Sequence, residues 1–138
     1  MDDVVVDASV FVSRLVRTDA HHPTTTRWFE RHGDGSNLLV VPAVMPAEVA
    51  GAIARRTKDG TLARRAVDRL LRLPFLRVVA VDRTLGLQAA NLAADLGLRG
   101  TDAMYVAVAE RLGLPLVTWD REQRERAATI VSTRTADA

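Results

Sequence analysis

The sequence has no cysteine, a single lysine and few aromatic residues (4%). Without cysteine the chain forms no disulfide, offers zinc no thiolate and has no thiol nucleophile, and the absence fits a reducing compartment. Apart from Lys58, every basic residue except the three histidines is an arginine, and the formal net charge is +2. Arginine binds phosphate through paired hydrogen bonds, which favours a nucleic-acid partner. A GC-rich genome also encodes arginine in preference to lysine, so this composition has two interpretations.

Long hydrophobic runs are also missing. The longest apolar stretch, residues 38–47, is about half of what a membrane span requires. The N-terminus, MDDVVVDAS, has neither the positive start nor the apolar segment of a secretory signal. We therefore expect a cytoplasmic protein that does not associate with membranes. With 138 residues, 48% of them hydrophobic, residues 1–138 are predicted to form one domain with its own core.

Short apolar runs alternate with amphipathic helical patterns along the whole chain. The run Val4–Val6 is continuously apolar, which is typical of a strand buried on both faces of a parallel sheet. Strands are predicted at residues 4–6, 38–41, 78–81, 116–118 and 129–132. Helices are predicted at residues 9–17, 24–32, 44–56, 62–73, 82–97, 101–113 and from 120 onward. This alternation predicts an α/β fold with a mainly parallel sheet and helices on both faces.

Three acidic residues lie where strands end or helices begin. Asp7 and Asp120 follow predicted strands, and ligands bind beyond the carboxyl ends of strands in such sheets. Asp102 follows Thr101 at a helix start. Each of the three could simply cap its helix or interact with the helix dipole. Capping and a role in a site both stay open for each acid taken alone.

Glu48 is less easily explained as a cap. It lies within a helix whose neighbours at helical spacing include Val44, Met45, Gly51 and Ala52, so its face looks apolar. A buried carboxylate is costly without a partner, and the nearest basic residues are about two turns away. A metal ion would supply the missing positive charge. The alternative is that Glu48 reaches solvent at the edge of its helix.

The helix after Asp102 is apolar on all sides over residues 103–109, which predicts that it is buried. Its N-terminus then places Asp102 in the same interior zone as Glu48. Carboxylates gathered together stay ionised only when cations lie among them, and Mg²⁺ or Mn²⁺ matches an all-oxygen set. Such ions can activate water for attack on a phosphate. No cysteine and no suitably placed histidine offers another route.

Four segments carry a resemblance to a known family. They are VVVDAS with Asp7, PAEVAGAIARR with Glu48, GTDAMYVAVAERLG with Asp102, and LPLVTWD with Asp120. Each segment alone is a weak signal, but all four occur in order over nearly the whole chain. The sequence resembles the PIN-domain ribonucleases, and among them the VapC toxins of type II toxin–antitoxin pairs.

The resemblance implies a three-layer α/β/α PIN-like fold with strand order 3-2-1-4-5. It implies Mg²⁺- or Mn²⁺-dependent cleavage of single-stranded RNA by an endoribonuclease, with Asp7, Glu48, Asp102 and Asp120 as metal ligands. Ser9 and Thr118 match small hydroxyl positions that orient the first and last acids; a helix cap for Ser9 and ordinary strand propensity for Thr118 are the alternatives. The resemblance also implies a homodimer and a VapB-like antitoxin whose tail lies in a groove formed by the first two helices.

One position departs from the family pattern, because Gln123 stands where an apolar residue is usual. Arg83, Arg99, Arg121 and Arg124 are candidates for contacts with RNA phosphates, or are simply solvated. His21 and His22 lie in a polar segment and are interpreted as surface residues.

Two other functions remain as alternatives. One is a PIN fold without activity that binds RNA or protein, which the four intact acids disfavour. The other is a receiver-type signalling domain, which needs a late lysine, whereas no lysine follows Lys58.

Overall fold

The structure, a computed structural model that describes residues 3–33 and 35–137, contains a five-stranded parallel sheet. The strands lie in the order β3-β2-β1-β4-β5, and each pair of neighbours runs parallel. Their bounds are Val4–Val6 for β1, Leu39–Pro42 for β2, Leu76–Val79 for β3, Leu116–Val117 for β4 and Thr133–Arg134 for β5. The predicted α/β class and the strand order implied by the resemblance are therefore confirmed.

Helices flank this sheet. In the described residues they are Ala8–Leu15 (α1), His22–His32 (α2), Met45–Thr57 (α3), Gly60–Leu71 (α4), Arg83–Leu96 (α5), Gly100–Leu112 (α6) and Arg121–Ala127 (α7). Helix α1 packs against α2 and α3, and α3 packs against α4. Helix α5 packs against α6, which in turn contacts β1, β2 and β4. None of these helices is both long and apolar enough to span a membrane.

The position of β1 at the centre of the sheet explains why its sequence is continuously apolar. Val4, Val5 and Val6 are each at most 1% exposed, because β1 has a parallel neighbour on either side and helices over its faces. A strand covered on both faces has no outward side for polar residues, so its apolar residues are consecutive rather than alternating. Asp7 follows directly at the end of this buried strand and is itself buried.

Helix α6 is the most deeply buried helix of the described fold. Ala103 and residues 105–109 are each at most 1% exposed, which confirms the prediction of a buried helix. The helix ends at Gly113, whose φ of 66° lies in the left-handed region that favours glycine. Its first turn, which holds Asp102, points toward the carboxyl end of the sheet.

The last strand was predicted wrongly. Residues 129–132 contain β-branched side chains and were predicted as a strand, but the strand is Thr133–Arg134. The amides of Ile130 and Val131 instead donate to the carbonyl of Ala127, at 2.9 and 3.0 Å, and close a turn after α7. Ile130 is 40% exposed, so its β-branched side chain reflects no buried strand.

Other boundaries differ by one or two residues. Strand β3 is Leu76–Val79 rather than 78–81, because Leu76 pairs with Leu39 of β2. Helix α2 begins at His22, and Pro23 occupies its first turn, where a missing amide proton costs nothing. Helix α4 begins at Gly60, two residues before the predicted start, with Asp59 accepting a hydrogen bond from the Leu62 amide as its cap.

Candidate active site

Four elements bring the four predicted acids to one end of the sheet. Asp7 follows β1 and Asp120 lies beyond the neighbouring strand β4, and the Asp7 amide donates to the Val117 carbonyl at 3.0 Å. Helix α3 carries Glu48, and the first turn of α6 carries Asp102. The carboxyl ends of adjacent parallel strands are where α/β folds bind ligands.

Asp7 is buried and held by three donors. Its Oδ2 accepts a hydrogen bond from the Ser9 amide at 3.0 Å and from the Thr118 hydroxyl at 3.3 Å. Its Oδ1 accepts one from the Gln123 side-chain amide at 3.4 Å. Burial raises the pKa of the Asp7 carboxyl, as does the negative charge of Asp120, while hydrogen bonds from Ser9 and Gln123 oppose the rise. Asp7 is therefore both the cap of α1 and a fixed member of the acidic group.

Ser9 and Thr118 link the two strand ends. The Thr118 hydroxyl, which is fully buried, donates to Asp7 and accepts a hydrogen bond from the Asp120 amide at 3.0 Å. The Ser9 hydroxyl lies 3.4 Å from that of Thr118 and accepts from the Trp119 amide at 3.1 Å. Thr118 thus contacts the segments of both strand-end acids, while Ser9 acts on the Asp7 carboxylate through both its backbone amide and its side chain.

Glu48 is half-buried and has a partner on another helix. Its Oε1 accepts a hydrogen bond of 2.8 Å from the hydroxyl of Tyr105 in α6. Burial raises the pKa of the Glu48 carboxyl, and the charge of Asp7 raises it further, while the Tyr105 hydrogen bond lowers it. Burial and the same negative charges raise the pKa of the Tyr105 hydroxyl, so this hydroxyl stays protonated and remains a donor.

Asp102 connects the group electrostatically. Burial raises the pKa of its carboxyl to about 6, and the charges of Asp7, Asp120 and Glu48 each add to the rise. Arg99 opposes the rise. Because the charges of the other three acids all affect the pKa of Asp102, the four carboxyl groups lie close enough to interact electrostatically.

Asp120 is the N-cap of α7, and its Oδ1 accepts a hydrogen bond from the Gln123 amide at 3.0 Å. Capping is therefore present at Asp7 and Asp120, whereas Asp102 lies inside the first turn of α6 and caps nothing. Capping and membership of the acidic group are compatible, since a capping carboxylate keeps a free lone pair.

A cavity of about 430 Å³ opens onto three of the acids. Its lining includes Asp7, Glu48, Asp102, Ser9 and Thr101, together with the two arginines of α3, Arg55 and Arg56. Asp120 lies outside this lining. Arg56 also pairs with Asp19, at 2.5 Å, and its side chain is half exposed. The cavity is acidic at its base and has basic groups at its edge.

The acids fit a hard divalent cation in charge and donor type. The charges of Asp7, Asp120 and Glu48 raise the pKa of the Asp102 carboxyl, and the positive charge of Arg99 lowers it. Across residues 3–33 and 35–137, no three acidic or histidine side chains are gathered closely enough to ligate one ion together. Mg²⁺ commonly keeps several waters and binds only one or two carboxylates directly, so it does not require three converging acids.

Three site residues were not predicted from the sequence as parts of the site. Tyr105 stands among apolar residues of α6, and Gln123 was noted only as a departure from the family pattern. Trp119 donates from its indole nitrogen to the Thr25 hydroxyl at 2.8 Å and stacks on His21, with ring centroids 3.8 Å apart. A lone polar group in an apolar helix was the available signal for Tyr105, as it was for Glu48.

The four predicted arginine candidates are not part of the cavity lining, although Arg99 and Arg124 lie near the acids. Arg83, Arg99 and Arg121 are exposed, and Arg121 forms an i,i+4 pair with Glu125. Arg124 donates to the Thr118 carbonyl at 3.3 Å and so contacts the segment that leads from β4 to Asp120. His21 is exposed, in agreement with its interpretation as a surface residue.

Comparison with known proteins agrees with this architecture. A family model described as the PIN domain matches residues 4–128. Over 121 residues the chain is 36% identical to Ribonuclease VapC3 of Mycobacterium tuberculosis, an alignment that covers 86% of this chain and 83% of the relative. The chain therefore belongs to the PIN-domain family. Within that family its sequence relatives are VapC ribonucleases, as the resemblance predicted.

Solved structures show the same fold. The M. tuberculosis toxin VapC20, described as cleaving the Sarcin-Ricin loop, matches with a TM-score of 0.77 at 23% identity over 96% of this chain and 99% of that chain. A chain of a toxin–antitoxin complex from Klebsiella pneumoniae matches with a TM-score of 0.67 at 16% identity over 97% and 98% of the two chains. At these identities the matches establish the fold.

Proposed function

We propose that this chain is a Mg²⁺- or Mn²⁺-dependent endoribonuclease that cleaves single-stranded RNA as the toxin of a toxin–antitoxin pair. The observation that carries the proposal is that Asp7, Glu48 and Asp102 line one cavity, with Asp120 beyond the neighbouring strand end. Carboxylates gathered in this way suit a divalent cation, which would offset their mutual repulsion. The 36% identical relative is named a ribonuclease, which supports RNA as the substrate.

The four acids are the proposed metal ligands, directly or through water. A bound divalent ion supplies activation of water and stabilisation of the charge on the phosphate under attack. The chain itself positions the ligands: Asp7 through its three donors, Glu48 through Tyr105, and Asp120 through the amide of Gln123. Thr118 is proposed to orient both strand-end acids, and Ser9 to assist at Asp7.

The basic edge of the cavity is proposed to hold the RNA backbone. Arg55 and Arg56 lie on α3 two turns beyond Glu48 and line the same cavity. A guanidinium there meets phosphate oxygens in a bidentate manner while the acids face the bond that is cleaved. The preference for single strands follows from the family resemblance, and the cytoplasmic location remains a prediction from the sequence.

Metal dependence is tested by cleavage of a labelled single-stranded RNA. EDTA should abolish cleavage and added Mn²⁺ should restore it, with calorimetric titration of Mn²⁺ into the RNA-free protein as an independent measurement. Cleavage that persists in excess chelator would contradict the metal mechanism. Binding of RNA without any cleavage at saturating Mn²⁺ would favour the alternative, a PIN fold that only binds.

The proposed partner is a VapB-like antitoxin. A cavity of about 340 Å³ beside α1, α2 and α4 has a mainly apolar lining that includes Leu15, Phe29, Leu70 and Phe75, with Arg14 and Arg69 also lining it. We propose that it takes the tail of such a partner. An arginine of the tail that entered among the four acids would pair with them and displace the cation. The toxin itself is proposed to be a homodimer.

Co-expression with the product of the adjacent gene tests the partner. The two chains should co-purify, the complex should be inactive, and the free chain should run as a dimer in size-exclusion chromatography with light scattering. If the chain expresses harmlessly alone, runs as a monomer and does not co-purify, the toxin assignment is wrong. The nuclease assignment is tested separately by the chelation experiment.

A further inference from the structure

Gln123 is a fully buried polar residue at the centre of the acidic group. Its exposed fraction is 0%, although it lies on the short helix α7, most of whose other residues are exposed. A buried carboxamide lowers stability unless its hydrogen-bonding groups find partners. The chain has one other glutamine, Gln88, which lies on α5.

The contacts of Gln123 join three of the four acids. Its Nε2 donates to Asp7 Oδ1 at 3.4 Å and to the backbone carbonyl of Asp102 at 3.1 Å. Its own backbone amide donates to Asp120 Oδ1 at 3.0 Å. One residue therefore connects the end of β1, the first turn of α6 and the start of α7.

The orientation of the carboxamide is fixed by these neighbours. Both groups that face Nε2 are acceptors, so rotating the amide by half a turn would place its oxygen against two other oxygens. The opposite end, Oε1, is buried and has no hydrogen-bond partner among the described residues. An unsatisfied buried acceptor lowers the stability of the folded state. The arrangement thus gives up some stability while keeping a donor on Asp7.

We propose that Gln123 is a positioning residue that sets the plane of the Asp7 carboxylate relative to Asp102 and Asp120, and thereby sets the affinity of the site for a divalent cation. The inference rests on the proposed metal-dependent function. Residues that orient metal ligands typically change metal affinity or activity by about 10–100-fold when they are altered.

The test is Gln123→Met, which keeps the length of the side chain and removes both its donor and its unsatisfied acceptor. The matched control is Gln88→Met, which removes hydrogen bonds to Glu110 and to the Ala107 carbonyl, contacts that involve none of the four acids. Mn²⁺ affinity is measured by electron paramagnetic resonance without RNA, thermal unfolding is measured in EDTA, and kcat and KM are measured separately.

We expect Gln123→Met to unfold at or above the wild-type temperature in EDTA and yet to bind Mn²⁺ about tenfold more weakly. Its kcat at fixed Mn²⁺ should fall with little change in the KM for RNA, and saturating Mn²⁺ should restore part of the loss. Gln88→Met should bind Mn²⁺ as the wild type does. If Gln123→Met does not fold, Gln123→Asn replaces it, because this shorter carboxamide keeps the polarity but draws the donor back from Asp7.

Unchanged Mn²⁺ affinity in the folded Gln123 variant would overturn the proposal, as would an equal loss in Gln88→Met. Loss of the fold in both Gln123 variants would also overturn it, because the residue would then support the whole structure rather than the site. Failure of the wild-type chain itself to bind Mn²⁺ is a different result, and it would contradict the proposed function instead.

Discussion

Asp7 and Asp102 face the same cavity but are held in opposite ways. The Asp7 carboxylate is buried and accepts hydrogen bonds from Ser9, Thr118 and Gln123. The Asp102 carboxylate is half-exposed, and no donor in the described part of the chain lies within hydrogen-bond distance of it. The strand end thus supplies an acid held by several hydrogen bonds, while the helix supplies an acid that is not held in this way.

The largest expected effect comes from lengthening the Asp7 side chain by one methylene, compared with the same change at Asp102. Asp7→Glu cannot fit among three donors that are placed for a shorter side chain, so cleavage should fall by at least about 100-fold, the upper end for changes around metal ligands. Asp102→Glu has no donors to satisfy and should retain activity within about tenfold. Initial rates of RNA cleavage at saturating Mn²⁺ check both values.

Asp7→Asn sharpens the same comparison, because it keeps the shape and removes the charge. It should abolish cleavage. It should also raise the melting temperature in metal-free buffer, because a neutral side chain replaces a carboxylate whose pKa is raised by burial. Asp95→Asn, on the exposed face of α5, is the control and should match the wild type. Equal losses for Asp7→Glu and Asp102→Glu would mean that the two acids are held alike.

A smaller effect is expected from removing one of the three donors to Asp7. Thr118→Val has nearly the same volume but neither donates to Asp7 nor accepts from the Asp120 amide, which should cost about 1–3 kcal/mol of stability. Cleavage should fall by about tenfold. Thr118→Ser restores the hydroxyl and should recover most of the rate. A serine variant as impaired as the valine variant would show that the methyl group, not the hydroxyl, matters.

The smallest effect concerns pH and the metal-free protein. The pKa of the Asp102 carboxyl rises from 3.8 to about 6 on folding, so the folded state binds this proton more tightly than the unfolded state. Stability from this group is therefore fully present below about pH 4 and is lost as the pH rises through 6. Discounted for the half-exposed site, the change is on the order of 1 kcal/mol.

Thermal unfolding in EDTA between pH 4.5 and 7 measures this change. The melting temperature should fall as the pH rises, and Asp102→Asn should reduce the slope while Asp95→Asn leaves it unchanged. Saturating Mg²⁺ at pH 7 should recover the lost stability, because a bound cation replaces the proton as the counter-charge. A melting temperature that rises over this range would contradict the assigned direction.

Much of the site could be predicted because its acids contrast with their surroundings. Asp7 ends a valine run, and Glu48 interrupts an apolar helical face. Each can therefore be selected as a candidate site residue from the sequence alone. Their partners could not be predicted in this way. The hydrogen bond from Tyr105 to Glu48 depends on how closely α3 approaches α6, and no local pattern encodes that distance.

The same reasoning explains where the fold prediction was wrong. Val4–Val6 is apolar because both faces of β1 are covered, and this three-residue pattern is unambiguous. Strand β5 is only two half-buried residues at an edge of the sheet, and the β-branched residues before it form a turn instead. Short edge strands are defined by their neighbours more than by their own side chains.

The hydrogen bond between Thr118 and Asp7 spans 111 positions of the chain. During synthesis the first acid therefore leaves the ribosome long before the segment that orients it. Because domains fold as units as they emerge, a nascent chain that stops before β4 contains Asp7, Glu48 and Asp102 but lacks Thr118 and Asp120. We therefore expect fragments from interrupted translation to lack the RNA cleavage proposed for the full chain.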